Sequence, residues 1–285
     1  MRRFWLALSL FLLTLQAGAA EYILRYPRHQ GDDPHVPYML DLLRLIGEKT
    51  GQPLDIRSSA DVMTQGRAVR ELQAGTGRID LLWAMTSSER EQAIQPIRIP
   101  LYKGLMGWRI AIVQEAQAGL FKERRDTEIA QLVAGQLRDW PDTDILKANH
   151  FNVHVATQYD ALFSILERGR IQYFPRSVVE IWQELRVAKQ GKLVAETHTV
   201  LHYPTAFYFF VSKQNPQLAA LLERGLEAAI RDGSFDRLFL RHNRDALRQA
   251  RLEERRRIEL NNPYLPPETP LKRKELWYSP PAPKH

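Results

Sequence analysis

The sequence predicts an α/β protein built as two lobes, and three observations carry that prediction. Helical and strand patterns alternate along most of the chain, as sheets covered by helices require. A unit also recurs: Leu72-Gln-Ala-Gly-Thr-Gly-Arg-Ile-Asp-Leu-Leu-Trp83 returns in outline as Leu166-Glu-Arg-Gly-Arg-Ile-Gln-Tyr-Phe-Pro-Arg176. In each copy an amphipathic helix ends on glycine, Gly-Arg-Ile turns the chain, and a short apolar strand follows. The length of 285 residues suits two medium domains better than one.

The elements follow in order. Arg2 and Arg3 precede an apolar run from Phe4 to Leu15 and the small residues Ala17 to Ala20. This reads as a secretory signal peptide over 1–20, cleaved after Ala19 or Ala20, and the run falls short of the roughly 20 residues that span a bilayer. Tyr22 to Tyr26 alternates as a strand, and Pro27 to Pro37 is a loop. Met39 to Lys49 forms a helix with Met39, Leu42, Leu43 and Ile46 on one face and Gly51 as its stop. Leu54 to Arg57, Arg67 to Ala74 and Ile79 to Trp83 complete a βαβαβ order, which implies a parallel sheet.

A second α/β series follows: strand Trp108 to Val113, strand Leu132 to Ala134, helix Thr143 to Ala148, strand Val153 to Val155, helix Tyr159 to Glu167, strand Ile171 to Phe174, and helix Val178 to Glu184. The strongly β-prone Ala206 to Val211 matches Trp108 to Val113 in character, so these two strands are expected to be the hinge crossings. Leu218 to Arg231 and Phe235 to Leu247 are helical, with an arginine-rich helical run from Arg241 to Arg257. Prolines from Pro263 to Pro281 preclude a regular element in the tail, yet Tyr264, Leu265, Leu271, Leu276, Trp277 and Tyr278 predict that it packs back onto a lobe. The expected division is therefore 21–104 plus 206–245 for lobe 1, 105–205 for lobe 2, and 246–285 for the end of the last helix and its tail.

Composition limits the function. The chain has no cysteine, so no disulfide framework and no cysteine-linked lipid anchor is available. The formal charge is +7, and loss of Arg2 and Arg3 leaves 38 basic against 33 acidic side chains. That modest excess reads as a solvated arginine-bearing helix face, and no nucleic-acid partner is expected in the periplasm. Signatures of metalloproteases, serine hydrolases and phosphate loops are missing. No enzyme activity, cofactor or metal is expected, although the loop carrying Arg28, His29, Asp32, Asp33 and His35 leaves a metal open.

The order of these elements resembles the family-3 extracellular solute-binding proteins, over roughly Tyr22 to Asn243. The resemblance rests on Gly77-Arg-Ile-Asp80 followed by Thr86-Ser-Ser-Glu-Arg90, on Pro100-Leu-Tyr102, and on Asp232-Gly-Ser-Phe-Asp-Arg-Leu. It implies a type II periplasmic binding protein fold: two lobes, each a central sheet flanked by helices, joined by two hinge crossings. Trp140-Pro-Asp-Thr143, Tyr173-Phe-Pro-Arg176 with Glu180, and Asn262-Pro-Tyr-Leu-Pro are similar to a stand-alone periplasmic subgroup whose ligands are generally unassigned.

The resemblance implies that Arg90 clamps a ligand carboxylate, a task for which a planar guanidinium fork is suited; a surface arginine on a helix is the alternative. Thr86 belongs to the same motif. The resemblance also places a ligand-holding acid of the second lobe near Arg176 and Ser177, where this chain has none, and that argues against a simple α-amino acid. Arg176 either faces Arg90 across the cleft, favouring a ligand anionic at both ends, or pairs with Glu180. Tyr26, Trp83 and Tyr173 lie near strand ends, where open α/β sheets place ligands, or else in the core; Arg28 follows the first strand. Trp140-Pro-Asp-Thr143 reads as a helix start. The expected function is capture of a small anionic, amino-acid-like or peptide-like solute by a monomeric periplasmic protein serving an ABC permease or a membrane sensor. An enzyme of lyase or dehydratase type on the same fold and a ligand-free interaction module remain the alternatives.

Overall fold

The computed structural model describes residues 22–29, 33–188 and 192–280, so the signal-peptide reading at 1–20 lies outside the described residues. The chain begins with β1 (Tyr22–Arg28), α1 (Val36–Thr50), β2 (Leu54–Val62), α2 (Gln65–Ala74), β3 (Leu81–Met85), α3 (Ser88–Ala93) and β4 (Gln95–Ile97). The second series is β5 (Trp108–Gln114), α4 (Asp126–Gln131), β6 (Ala134–Leu137), α5 (Pro141–Ala148), β7 (Val153–Ala156), α6 (Tyr159–Glu167), β8 (Phe174–Ser177), α7 (Ile181–Val187), β9 (Leu193–Ala195) and β10 (Thr199–His202). The chain then returns through β11 (Phe207–Val211), α8 (Pro216–Arg231), α9 (Ser234–Ala250) and β12 (Arg256–Glu259).

Strand pairing sorts these elements into two bodies. β1 pairs β2 in parallel, and β11 lies antiparallel between β3 and β4. The Asp80 N–H donates to the Arg25 carbonyl and the Arg25 N–H to the Asp80 carboxylate, which ties the two groups. In the other body β5 is antiparallel to β8, β9 and β10, while β6 pairs β7 in parallel. Each lobe is thus a sheet system flanked by helices. The predicted Met39, Leu42, Leu43 and Ile46 stripe of α1 is fully buried, and such side chains contribute about 1.5–3 kcal/mol each.

The recurring unit is present in both lobes. Gly75 and Gly169 follow α2 and α6 with φ of +63° and +67°, the left-handed geometry that lets a helix stop without a Cβ clash. Ile79 and Ile171, 3% and 1% exposed, then turn inward. The strands begin later than predicted, at Leu81 rather than Ile79 and at Phe174 rather than Ile171, because the Ile-Asp and Ile-Gln pairs are spent on turning into the sheet. β6 likewise starts at Ala134, where the prediction ended, after the unpredicted α4.

Two further differences concern long-range pairing. Trp108 to Val113 and Ala206 to Val211 lie within sheets, and the chain crosses just before them. There the Tyr203 N–H donates to the Gly107 carbonyl, and a Cβ on Gly107 would meet the Tyr203 carbonyl oxygen at 2.0 Å. Only glycine permits the two crossings to touch. The arginine run does not stay helical: α9 ends at Ala250, Arg251 adopts φ +44°, and Arg256 and Arg257 enter β12, which extends the second sheet in parallel beside β10. Arg255 turns inward and donates to the carbonyls of Ala250, Glu196 and Thr199.

Past β12 the tail touches both bodies. Asn261 and Asn149 exchange hydrogen bonds, Ser88 N–H donates to the Tyr264 carbonyl, and Tyr278 N–H donates to the Lys103 carbonyl. Leu276, in a single 3₁₀ turn, is fully buried. No helix among the described residues is long and apolar enough to cross a membrane.

Candidate functional site

The two bodies meet at a buried polar cluster. His35 occupies the turn before α1, where its backbone N–H donates to Asp33 Oδ1 at 2.8 Å and Pro37 opens the helix. Its ring packs against Tyr102 and Phe207 with centroids 5.4 and 5.0 Å away. Nδ1 lies 2.8 Å from the Tyr102 hydroxyl, and Nε2 reaches across to Glu180 Oε1 at 3.1 Å.

Glu180 accepts from the Ser177 N–H at 3.0 Å, from Arg109 at 3.2 Å and from Arg176 at 2.9 Å. Arg109, from β5, also meets Asp142 at 2.5 Å and the Tyr203 hydroxyl at 3.0 Å, and touches Met85 Sδ of the other lobe. The Tyr203 hydroxyl in turn donates to Asp142. Burial opposes the charge on Glu180, but Arg176, His35 and Arg109 more than offset this and hold its carboxyl well below the ordinary carboxylate range. For His35 the burial acts downward; the Glu180 bond and the charge of Asp33 outweigh it, so its pKa is raised above 6.5.

Arg176 is part of this cluster and offers nothing outward. Its guanidinium makes hydrogen bonds of 2.6 to 2.9 Å to Glu184, pairs with Glu180, and lies 4.4 Å from the centroid of the Trp140 ring. The expectation that Arg176 faces Arg90 as a second anion clamp is therefore corrected: two carboxylates already neutralise it. The pairing with Glu180 is the geometry found, and Glu184, one turn further along, was not foreseen.

Arg90 is placed differently. Ser87 caps α3 by accepting the Arg90 N–H at 3.2 Å. The half-buried guanidinium donates to the Met85 carbonyl and to Gln65 Oε1 at 2.9 Å. Among the described residues it has no carboxylate in ion-pair contact. Burial lowers its pKa to about 10, while Glu89, Asp139 and Asp142 pull it upward. Asp139 and Asp142 belong to the other lobe, at the start of α5. Asp139 is exposed and approaches α2 so closely that a Cβ on Gly66 would lie 3.1 Å from its carboxylate. A cation without a carboxylate partner among the described residues and an exposed acid thus belong to opposite lobes near their boundary.

The remaining candidates divide between core and surface. Trp83, 3% exposed, lies 5.1 Å from the Tyr26 ring and donates Nε1–H to Asp33 at 3.2 Å. It supports the His35 turn instead of forming an open wall. Tyr173 is fully buried, edge-on to Phe121 at 5.1 Å. Thr86 is buried and its hydroxyl donates to Glu91 at 2.6 Å. Arg28 is exposed and donates to the Ala60 carbonyl at the end of β2. The structure brings Arg90 to the lobe boundary and puts Tyr173, Thr86 and Arg28 to structural use. The predicted start of α5 is observed, but Asp142 serves Arg109 as well as its helix.

Sequence reasoning passed over Arg109, Tyr203 and Glu184, and left His35 as one of several loop residues. The available signal was the excess of charge within apolar surroundings, as in Trp108-Arg-Ile-Ala-Ile, because a buried arginine demands an acid. A groove of about 760 Å³ lies elsewhere, behind the hinge, between Trp108, His202, Arg256, Trp277 and Tyr278. Among the described residues no group of three or more metal-ligating side chains gathers in the His29 to His35 loop or elsewhere.

No protein-family model matches the chain, and no curated protein matches it. Solved structures do. An ancestral arginine-binding protein bound to glutamine is 16% identical with a TM-score of 0.59, covering 77% of this chain and 97% of that one. The VFT2 domain of Bordetella pertussis BvgS is 15% identical with a TM-score of 0.61, covering 77% and 93%. A histidine kinase sensor domain with similarity to periplasmic binding proteins is 16% identical with a TM-score of 0.54, covering 79% and 96%. The chain has the two-lobed type II periplasmic binding protein fold. At these identities the likeness establishes architecture and leaves the ligand to the site.

Proposed function

We propose that this protein is a periplasmic receptor whose lobes close by hinge motion over a small, amino-acid-like solute, with Arg90 as the carboxylate clamp. The observation that carries this reading is the half-buried Arg90 guanidinium, oriented by the Met85 carbonyl and Gln65 but bound to no acid among the described residues. Asp139 opposite favours a ligand with a cationic group as well, so a zwitterion or short peptide suits the boundary better than a dianion. We propose binding without turnover, by a monomer, with a permease or membrane sensor reading the closed form. The lobe division is proposed as 21–104 with 206–245, and 105–205, with the tail spanning the two.

A thermal-shift screen over amino acids, dicarboxylates and short peptides tests the reading, because a ligand that binds only the folded state raises its stability. Arg90→Ala is expected to weaken any hit by roughly 10- to 150-fold, the value of a charge-assisted hydrogen bond of about 1.5–3 kcal/mol. An unaffected hit, or no hit, would overturn it. Recovery of the ligand unchanged after incubation separates binding from turnover.

A further inference from the structure

We propose that His35 and Glu180 form a proton-dependent latch between the lobes, so that mildly acidic conditions hold the cleft closed and alkaline conditions loosen it. The latch requires only the two lobes and their contact, not a solute. Its parts come from opposite bodies: His35 and Tyr102 from one, Glu180, Arg176 and Arg109 from the other. Charge counting favours the proton. The cluster holds the cations Arg109 and Arg176 and the anions Asp142, Glu180 and Glu184, all buried. Among these five buried groups one negative charge is uncompensated with His35 neutral and matched with His35 protonated, and Asp33 beside the ring adds a further carboxylate that favours the proton.

The surroundings of the ring agree. Its own turn supplies Asp33, and α1 supplies Tyr38, whose hydroxyl is committed to the Leu101 carbonyl. The loop after β4 supplies Tyr102, β11 the apolar Phe207 ring, and the second lobe Glu180 backed by Arg176 and Arg109. Burial and Arg176 disfavour the proton, and Glu180 and Asp33 favour it more strongly, so with the lobes in contact the pKa is raised above 6.5. Asp33 lies on the His35 turn and acts whether or not the lobes touch, whereas the Glu180 bond exists only in contact, so it is the Glu180 bond through which closure tightens the proton. Closure therefore has the full benefit below the ordinary histidine value and loses it as pH climbs through the raised one. His29, 3.9 Å from Asp33, is a second histidine near the turn and provides a control.

The absence of cysteine from the chain makes a direct test simple. Glu48→Cys on α1 and Lys147→Cys on α5, both exposed and outside the cluster, carry a fluorescence donor and acceptor. Transfer and small-angle scattering are then followed from about pH 5.5 to about pH 8.5 without ligand. The native protein is expected to lose closed population as pH rises, the closing equilibrium falling by at most about tenfold per pH unit for one proton. His35→Gln keeps the hydrogen-bonding reach but no charge and is expected to flatten the profile; His29→Gln is expected to preserve it. A flat native profile would overturn the latch whether or not any variant folds, and so would an unchanged slope in His35→Gln. A failed ligand screen would sink the proposed function and leave this test intact.

Discussion

The unit from α2 to β3 and the unit from α6 to β8 solve the same backbone problem with different residues. Asp80 Oδ2 accepts the Arg25 N–H at 2.7 Å while its own N–H donates to the Arg25 carbonyl at 2.8 Å. Gln172 repeats both contacts on Val133, at 2.7 and 2.9 Å. The aspartate that the second unit lacks is thus replaced in its structural task by an amide. What differs is the tip. The first strand leads to Arg90, bound to a carbonyl and an amide; the second ends at Arg176, enclosed by Glu180 and Glu184. A shared scaffold can carry one arginine held only by neutral acceptors and another enclosed by two carboxylates, and the number of carboxylates around each makes the difference.

The sharpest way to break this contrast is to remove each arginine in turn. Arg176→Met leaves Glu180 and Glu184 with less compensation in a buried place and is expected to cost about 3–5 kcal/mol, lowering Tm by roughly 10 °C. Arg90→Met orphans no carboxylate, so denaturant unfolding is expected to register a loss of about 1 kcal/mol. Equal losses would end the distinction between a committed and an uncommitted arginine.

The next test addresses the equivalence of Asp80 and Gln172. Asp80→Ala and Gln172→Ala each strip the partner from one backbone N–H and are expected to destabilise by about 1–3 kcal/mol. A loss at one and none at the other in chemical denaturation would show that the two contacts are not the same device. The smallest effect concerns the helix starts. Thr64 caps α2 by accepting the Arg67 N–H, whereas Gln158 at the start of α6 provides no side-chain cap. Thr64→Ala is expected to cost about 1 kcal/mol, and Gln158→Ala to leave stability nearly unchanged.

Legibility in the sequence followed the range of the interaction. Gly51, Gly75 and Gly169 end their helices as predicted, since a left-handed stop and its glycine are neighbours in the chain. The α1 stripe was equally plain, because a period of 3.6 residues is written locally. By contrast β12, an arginine-rich strand beside β10, carries no strand-like alternation, and its place depends on a partner more than fifty residues away. The same limit misdirected the reading of Arg176: Glu180 was visible at four residues, but Glu184, Trp140 and Arg109 reach it only through folding.

By itself, then, the sequence determined the α/β alternation, the repeated helix-glycine-strand unit, the helix stops and the two-lobed architecture, all of which rest on periodicity and on conformational preferences of single residues. Tertiary structure alone decided which charges are spent. His35 and Glu180 stand 145 residues apart, and no local pattern states that they meet. Burial makes every such meeting a matter of exact compensation, because an unpaired charge in a dry interface costs far more than any propensity can supply.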